Sequence, residues 1–106
     1  MPKYLFQASY TTEGLRGLLA DGGTKRSGVV KKLVKGLGGR LESMYFAFGE
    51  ADVYAIVDIP DNVKAATAAL TVGSSGAVKI KTVVLLTPEE VDQATEQSVA
   101  YSAPGT

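Results

Sequence analysis

Two carboxylates stand out in the stretch GEADVYAIVDIPD, residues 49–61: Asp52 and Asp58. Read as a strand, the stretch puts both on one face, because side chains alternate with a period of two. The strand rise separates them by about 20 Å, so they cannot work as one acid/base pair. Asp58, close to Pro60 and Asp61, reads as a solvated strand end. Asp52 opens the strand after a turn, where an aspartate ordinarily hydrogen-bonds backbone. Its reactive alternative is a base in a pocket. Asp52 is thus the one candidate catalytic residue, and the turn role is preferred.

Other chemistry is scarce. The chain has no histidine and no cysteine. That removes the usual proton-transfer side chain, the thiol nucleophile and the commonest metal ligands. Asp and Glu are scattered without calcium-loop spacing, so no metal and no cofactor are expected. Four of the five tyrosines, Tyr4, Tyr10, Tyr45 and Tyr54, fall on predicted strands, where tyrosine packs well. Gathered beside a cavity, such rings would supply polar handles. A ligand between sheet and helices would be lined by Phe6, Tyr45, Phe46 and Tyr54, with Asp52 near by. Lys25 and Arg26 in GGTKRSG read as a solvated loop between two helical pieces, with an anion site as the alternative. Lys79 and Lys81 share a strand face and read as edge-strand protection.

The elements that position these residues follow from local signals. KYLFQASY alternates as a first strand. TTEGLRGLLA has leucines at helical spacing after Thr11 or Thr12 as cap. Gly22 and Gly23 interrupt, and a longer helix resumes near Ser27, with Val29, Val30, Leu33, Val34 and Leu37 as its apolar stripe. RLESMYFAF and DVYAIVDI form a second and third strand, joined by a hairpin at Gly49, Glu50 and Ala51. Pro60 and Asp61 introduce an alanine-rich helix over about residues 62–72. AVKIKTVVLL is a fourth strand. Thr87, Pro88 and Glu90 give a capping box that starts a last helix.

The order is β-α-β-β-α-β plus a C-terminal helix: an α+β, ferredoxin-like arrangement. One domain over residues 1–97 is expected, with residues 98–106 as a flexible tail. The strands are apolar on both parities, whereas a sheet with one wet face should alternate. A second copy packing sheet to sheet about a two-fold axis is therefore expected.

The totals restrict partners. Lys+Arg and Asp+Glu both number 11, so the chain lacks the excess cation that general nucleic-acid binding needs. The first ten residues lack the features of a signal peptide, and no run reaches the roughly 20 apolar residues that cross a bilayer. A cytoplasmic protein without nucleic-acid or membrane partners is expected.

The chain resembles the GYD-domain family over roughly residues 3–95. The carriers are YTTEGL, GLGGRLESMY, the Gly-x-x-Asp of GEAD, PD after the third strand, GSSGAVKIKT and LLTPEEVDQA. The resemblance implies a small bacterial protein similar to dimeric α/β barrels, in a family largely without assigned activity. Gly49 and Asp52 match the name-giving Gly-Tyr-Asp signature, but Ala51 stands where the tyrosine is expected. Tyr54 or Tyr45 would have to reach that space if the ring were needed. The leading expectation is a non-catalytic oligomeric module that binds a small apolar or aromatic molecule, or a protein. The alternatives are a cofactor-free monooxygenase or isomerase with Asp52 as base, and a structural assembly subunit whose C-terminal helix reaches a neighbour.

Overall fold

Alternation in the first strand is what builds the sheet. In a computed structural model, which describes residues 1–106, β1 (Lys3–Tyr10) buries Tyr4, Phe6 and Ala8 on one side. It lies between β3 (Val53–Asp58) and β4 (Val78–Leu85), and β2 (Arg40–Phe46) pairs with β3. All three pairings are antiparallel and the order is β2-β3-β1-β4. That is the split arrangement of the ferredoxin-like pattern. The sheet of the single chain is open, with β2 and β4 as edges, so the expected barrel is not formed within one copy.

Two helices fill the first crossover. α1 (Thr12–Asp21) is capped by the Thr11 hydroxyl, which accepts from the Gly14 N–H at 3.2 Å. α2 (Gly23–Gly36) starts at once, four residues before the expected Ser27. Gly22 alone makes the turn, at φ +80°, a backbone region open mainly to glycine. Lys25 and Arg26 therefore lie on the first turn of a helix, not in a loop. α3 (Asn62–Gly73) is capped by Asp61, whose carboxylate accepts from the Lys64 N–H at 2.8 Å.

The helices cover one face of the sheet. Val34 of α2 and Ala65 and Ala68 of α3 pack with Tyr4, Phe6, Ala55, Val57 and Ile59. The alanines carry only a methyl group each, which lets α3 lie close to the sheet at native packing density, with Ala65 and Ala68 fully buried. The buried Tyr4 hydroxyl donates to Asn62 Oδ1 at 2.6 Å, so the ring brings no orphaned polar group into the core. At Gly14 a Cβ would collide with the Ala77 carbonyl, so glycine sets how closely α1 meets the start of β4.

β2 ends at Phe46, earlier than the expected Phe48, and the connection to β3 runs over residues 47–52. Glu42 is a bulge: Leu41 opposes Val57, but Ser43 opposes Ile56. After β4, α4 (Pro88–Thr95) carries the expected capping box between Thr87 and Glu90. Every residue from Pro88 to Thr106 is exposed. The chain consequently has a radius of gyration of 16.9 Å, against about 13 Å for a compact domain of this length.

Candidate functional site

The uncovered sheet face reads as four rows across the strands. Arg40, Asp58, Lys3 and Leu85 form the first; Ser43, Ile56, Leu5 and Val83 the second; Tyr45, Tyr54, Gln7 and Lys81 the third. Asp52, Ser9 and Lys79 continue at the far end. The first row is an ion cluster. Lys3 Nζ donates to Asp58 Oδ1 at 2.7 Å and to Glu42 Oε1 at 2.9 Å, and Arg40 Nη2 donates to Asp58 Oδ2 at 2.9 Å. Asp58 is only 8% exposed, so the expected solvated strand end is overturned. The Lys3 hydrogen bond, helped by Arg40, holds its carboxyl below the ordinary value of 3.8 although burial pulls the other way. Lys3 is raised above its ordinary 10.5 by its bonds to Asp58 and Glu42.

The helix-covered side holds the space. A cavity of about 80 Å³ lies between the sheet and α2 and α3. It is lined by 15 residues, 14 of them hydrophobic, among them Phe6, Val34, Ala55 and Ala68. A cleft of about 350 Å³ lies beside it between α1, α2 and α3. Tyr10, Arg26, Val29, Leu33, Val72 and Val78 line both, so the cleft is the mouth of the cavity. Glu13, Asp21, Thr71 and Ser75 add polar groups to the mouth only. An apolar chamber behind a mixed rim is the usual build of a small-molecule site.

The expected ligand set does not converge on this space. Phe6 lines the cavity. Phe46 is on the same face but packs at its end, against Gly23. Tyr45 and Tyr54 sit side by side on the opposite face, with Tyr45 71% exposed. Asp52 lines neither space. Its Oδ2 accepts from the Tyr10 N–H at 2.8 Å, and its own N–H donates to the Ala8 carbonyl at 2.8 Å. The aspartate thus ties the β2–β3 connection to the end of β1, a backbone role one strand away from the expected turn. Arg26, for which the sequence offers an anion site only as the alternative to a solvated loop, lines both the cavity and the cleft.

A third hollow, about 260 Å³, lies on the open face among Gln7, Ser9, Glu50, Ala51, Lys79 and Lys81. Ala51, where the family's tyrosine was expected, is buried at its edge. No group of three Asp or Glu side chains is placed to hold a metal, and no helix is long and apolar enough to cross a membrane.

A four-stranded antiparallel sheet with helices on one side, and a cleft between them, defines a small α+β domain. The chain belongs to the GYD domain family, whose model matches residues 4–95. No curated protein and no solved structure matches it.

Proposed function

We propose that this GYD-domain protein is a non-catalytic, homo-oligomeric module that binds a small, largely apolar molecule in the cleft and cavity between sheet and helices. The observation that carries this reading is the apolar cavity opening into a polar-rimmed cleft. The candidate base, Asp52, is committed to the Tyr10 N–H outside that space, which weighs against the monooxygenase or isomerase alternative. Binding to the native state raises the melting temperature by mass action. A thermal-shift screen of small apolar and aromatic metabolites should therefore find stabilising compounds. A variant with the cavity filled by Val72→Trp should lose that response while remaining folded. No stabilising compound, or an unchanged response in the filled variant, would refute the site.

The oligomer rests on the open face. Its second row places Ile56, Leu5 and Val83 together, and Tyr45 and Tyr54 extend the apolar area. Sheet-to-sheet packing of two copies would cover it and form a dimeric α/β barrel. The accessible surface of 7363 Å² exceeds by about 1,700 Å² that of a compact monomer of this mass. Part of the excess is the arm from Pro88 to Thr106, which favours a role in assembly as a second reading. Light scattering at working concentration should give at least a dimer; a monomer mass removes the open-face interface. Deleting residues 88–106 should reduce assembly size if the arm joins copies, and leave it unchanged if the sheet face alone does.

A further inference from the structure

The one cation that lines the candidate site is left unused by the fold. Arg26 is the single non-hydrophobic residue among the 15 that line the cavity, and it also lines the cleft. It is half-buried and makes no ion pair, while its neighbour Lys25 pairs with Asp21 at 3.4 Å. A guanidinium carries five N–H donors in a planar fork and cannot lose its charge. Beside an apolar wall such a fork gains most from an acceptor that offers two parallel oxygens.

We propose that the site takes a compact alkyl carboxylic acid, its carboxylate held by Arg26 at the mouth and its hydrocarbon chain in the cavity. This rests on the ligand-binding reading above and names the ligand's class. The wall sets the apolar part. About 80 Å³ is roughly half the volume of a cavity that admits benzene, so a slender alkyl end enters where a ring does not. The polar part is set by charge. Glu13 and Asp21 line the same mouth and repel any anion, so Arg26 can offset one negative charge there but not two. A carboxylate meets that condition and a phosphate monoester does not. Arg26 spans mouth and chamber, so the acid group is fixed at the rim and the chain points inward.

The test is a titration of the intact protein with hexanoate, hexan-1-ol and hexyl phosphate, by calorimetry and by amide chemical shifts. Hexanoate is expected to bind at least tenfold tighter than hexan-1-ol and tighter than hexyl phosphate. Affinity should rise about fourfold per methylene from butanoate to hexanoate, the value of a buried methylene. Arg26→Gln should remove the preference for the acid over hexan-1-ol. Arg26→Lys should restore part of the preference, because it keeps the charge but loses the fork. Equal binding of acid and alcohol, tighter binding of hexyl phosphate, or an undiminished acid preference in Arg26→Gln would overturn the proposal. In those cases binding of the alcohol with shifts at Val29 and Val72 leaves the pocket itself standing. Absence of any shift at those residues with all three probes removes both.

Discussion

Asp58 and Lys3 form a hydrogen-bonded ion pair across adjacent strands, with Lys3 Nζ 2.7 Å from Asp58 Oδ1. The pair is directly opposed in the β1–β3 register, and Arg40 meets the second carboxylate oxygen from the β2 side. Three strands of the sheet are thereby fastened at one end by a single carboxylate. Its side chain is 11% exposed and that of Lys3 27%, so water screens the pair only partly. Asp58→Asn should cost about 1–3 kcal/mol, the range for removing a partner from part-buried charged groups. Urea unfolding would measure it. A cost within error of zero would mean the cluster is ornamental to stability.

The same cluster sets a pH dependence. The folded-state pKa of Asp58 lies below its ordinary value, so its contribution is fully present above pH 3.8 and is lost as pH falls through the lowered value. Lys3 has the opposite sign: raised above 10.5, it contributes below that pH and its contribution is lost as pH rises through the raised value. The stability gap between the parent and Asp58→Asn should therefore be flat across neutral pH and close in acid below 3.8. A gap that widened in acid would contradict the ion pair.

Two glycines of α1 should respond oppositely to one methyl group. At Gly14 a Cβ meets the Ala77 carbonyl and the Tyr10 ring, whereas at Gly17 nothing lies within 4 Å. Gly14→Ala should destabilise by about 1–3 kcal/mol through overpacking. Gly17→Ala should stabilise by about 0.5–1 kcal/mol, the gain for glycine to alanine at a permissive helical position. Thermal unfolding of the pair separates them; equal effects would mean α1 does not pack closely on the start of β4.

Asp52 offers a test of structure against chemistry. An asparagine can still accept the Tyr10 N–H through its side-chain carbonyl, and alanine cannot. Asp52→Ala should cost about 1–3 kcal/mol for the unpaired N–H, with Asp52→Asn losing clearly less. Ligand affinity should be unchanged in Asp52→Asn. A fall in binding or turnover without a fall in stability would restore Asp52 as a reactive group.

Local signals in the sequence identify most of the elements. Thr11, Asp61 and the Thr87–Glu90 box mark helix starts where the caps are found. The parity of Tyr4, Phe6 and Ala8 marks the buried side of β1. The site was less legible because it depends on pairings between distant segments. Asp58 looked solvated since its partners stand 55 and 18 residues away, at Lys3 and Arg40. The sequence alone groups Tyr54 with Phe6, but the register sets Phe6 against Ala55, and a shift of one residue moves a side chain to the other face. Arg26 looked like a loop cation because the positive φ of Gly22 compresses the α1–α2 connection to one residue. No local signal reports the cleft, which is lined from α1, α2 and α3 together.

The central claim is that a ligand occupies the space between sheet and helices. Amide chemical-shift mapping with a library of small apolar fragments tests it most directly, because it locates binding without assuming the compound. Shifts concentrated at Val29, Leu33, Val72 and Val78, which line both cavity and cleft, are the expected result. Shifts confined to Tyr45, Tyr54 and Lys81 on the open face, or no localised shifts at all, would contradict it.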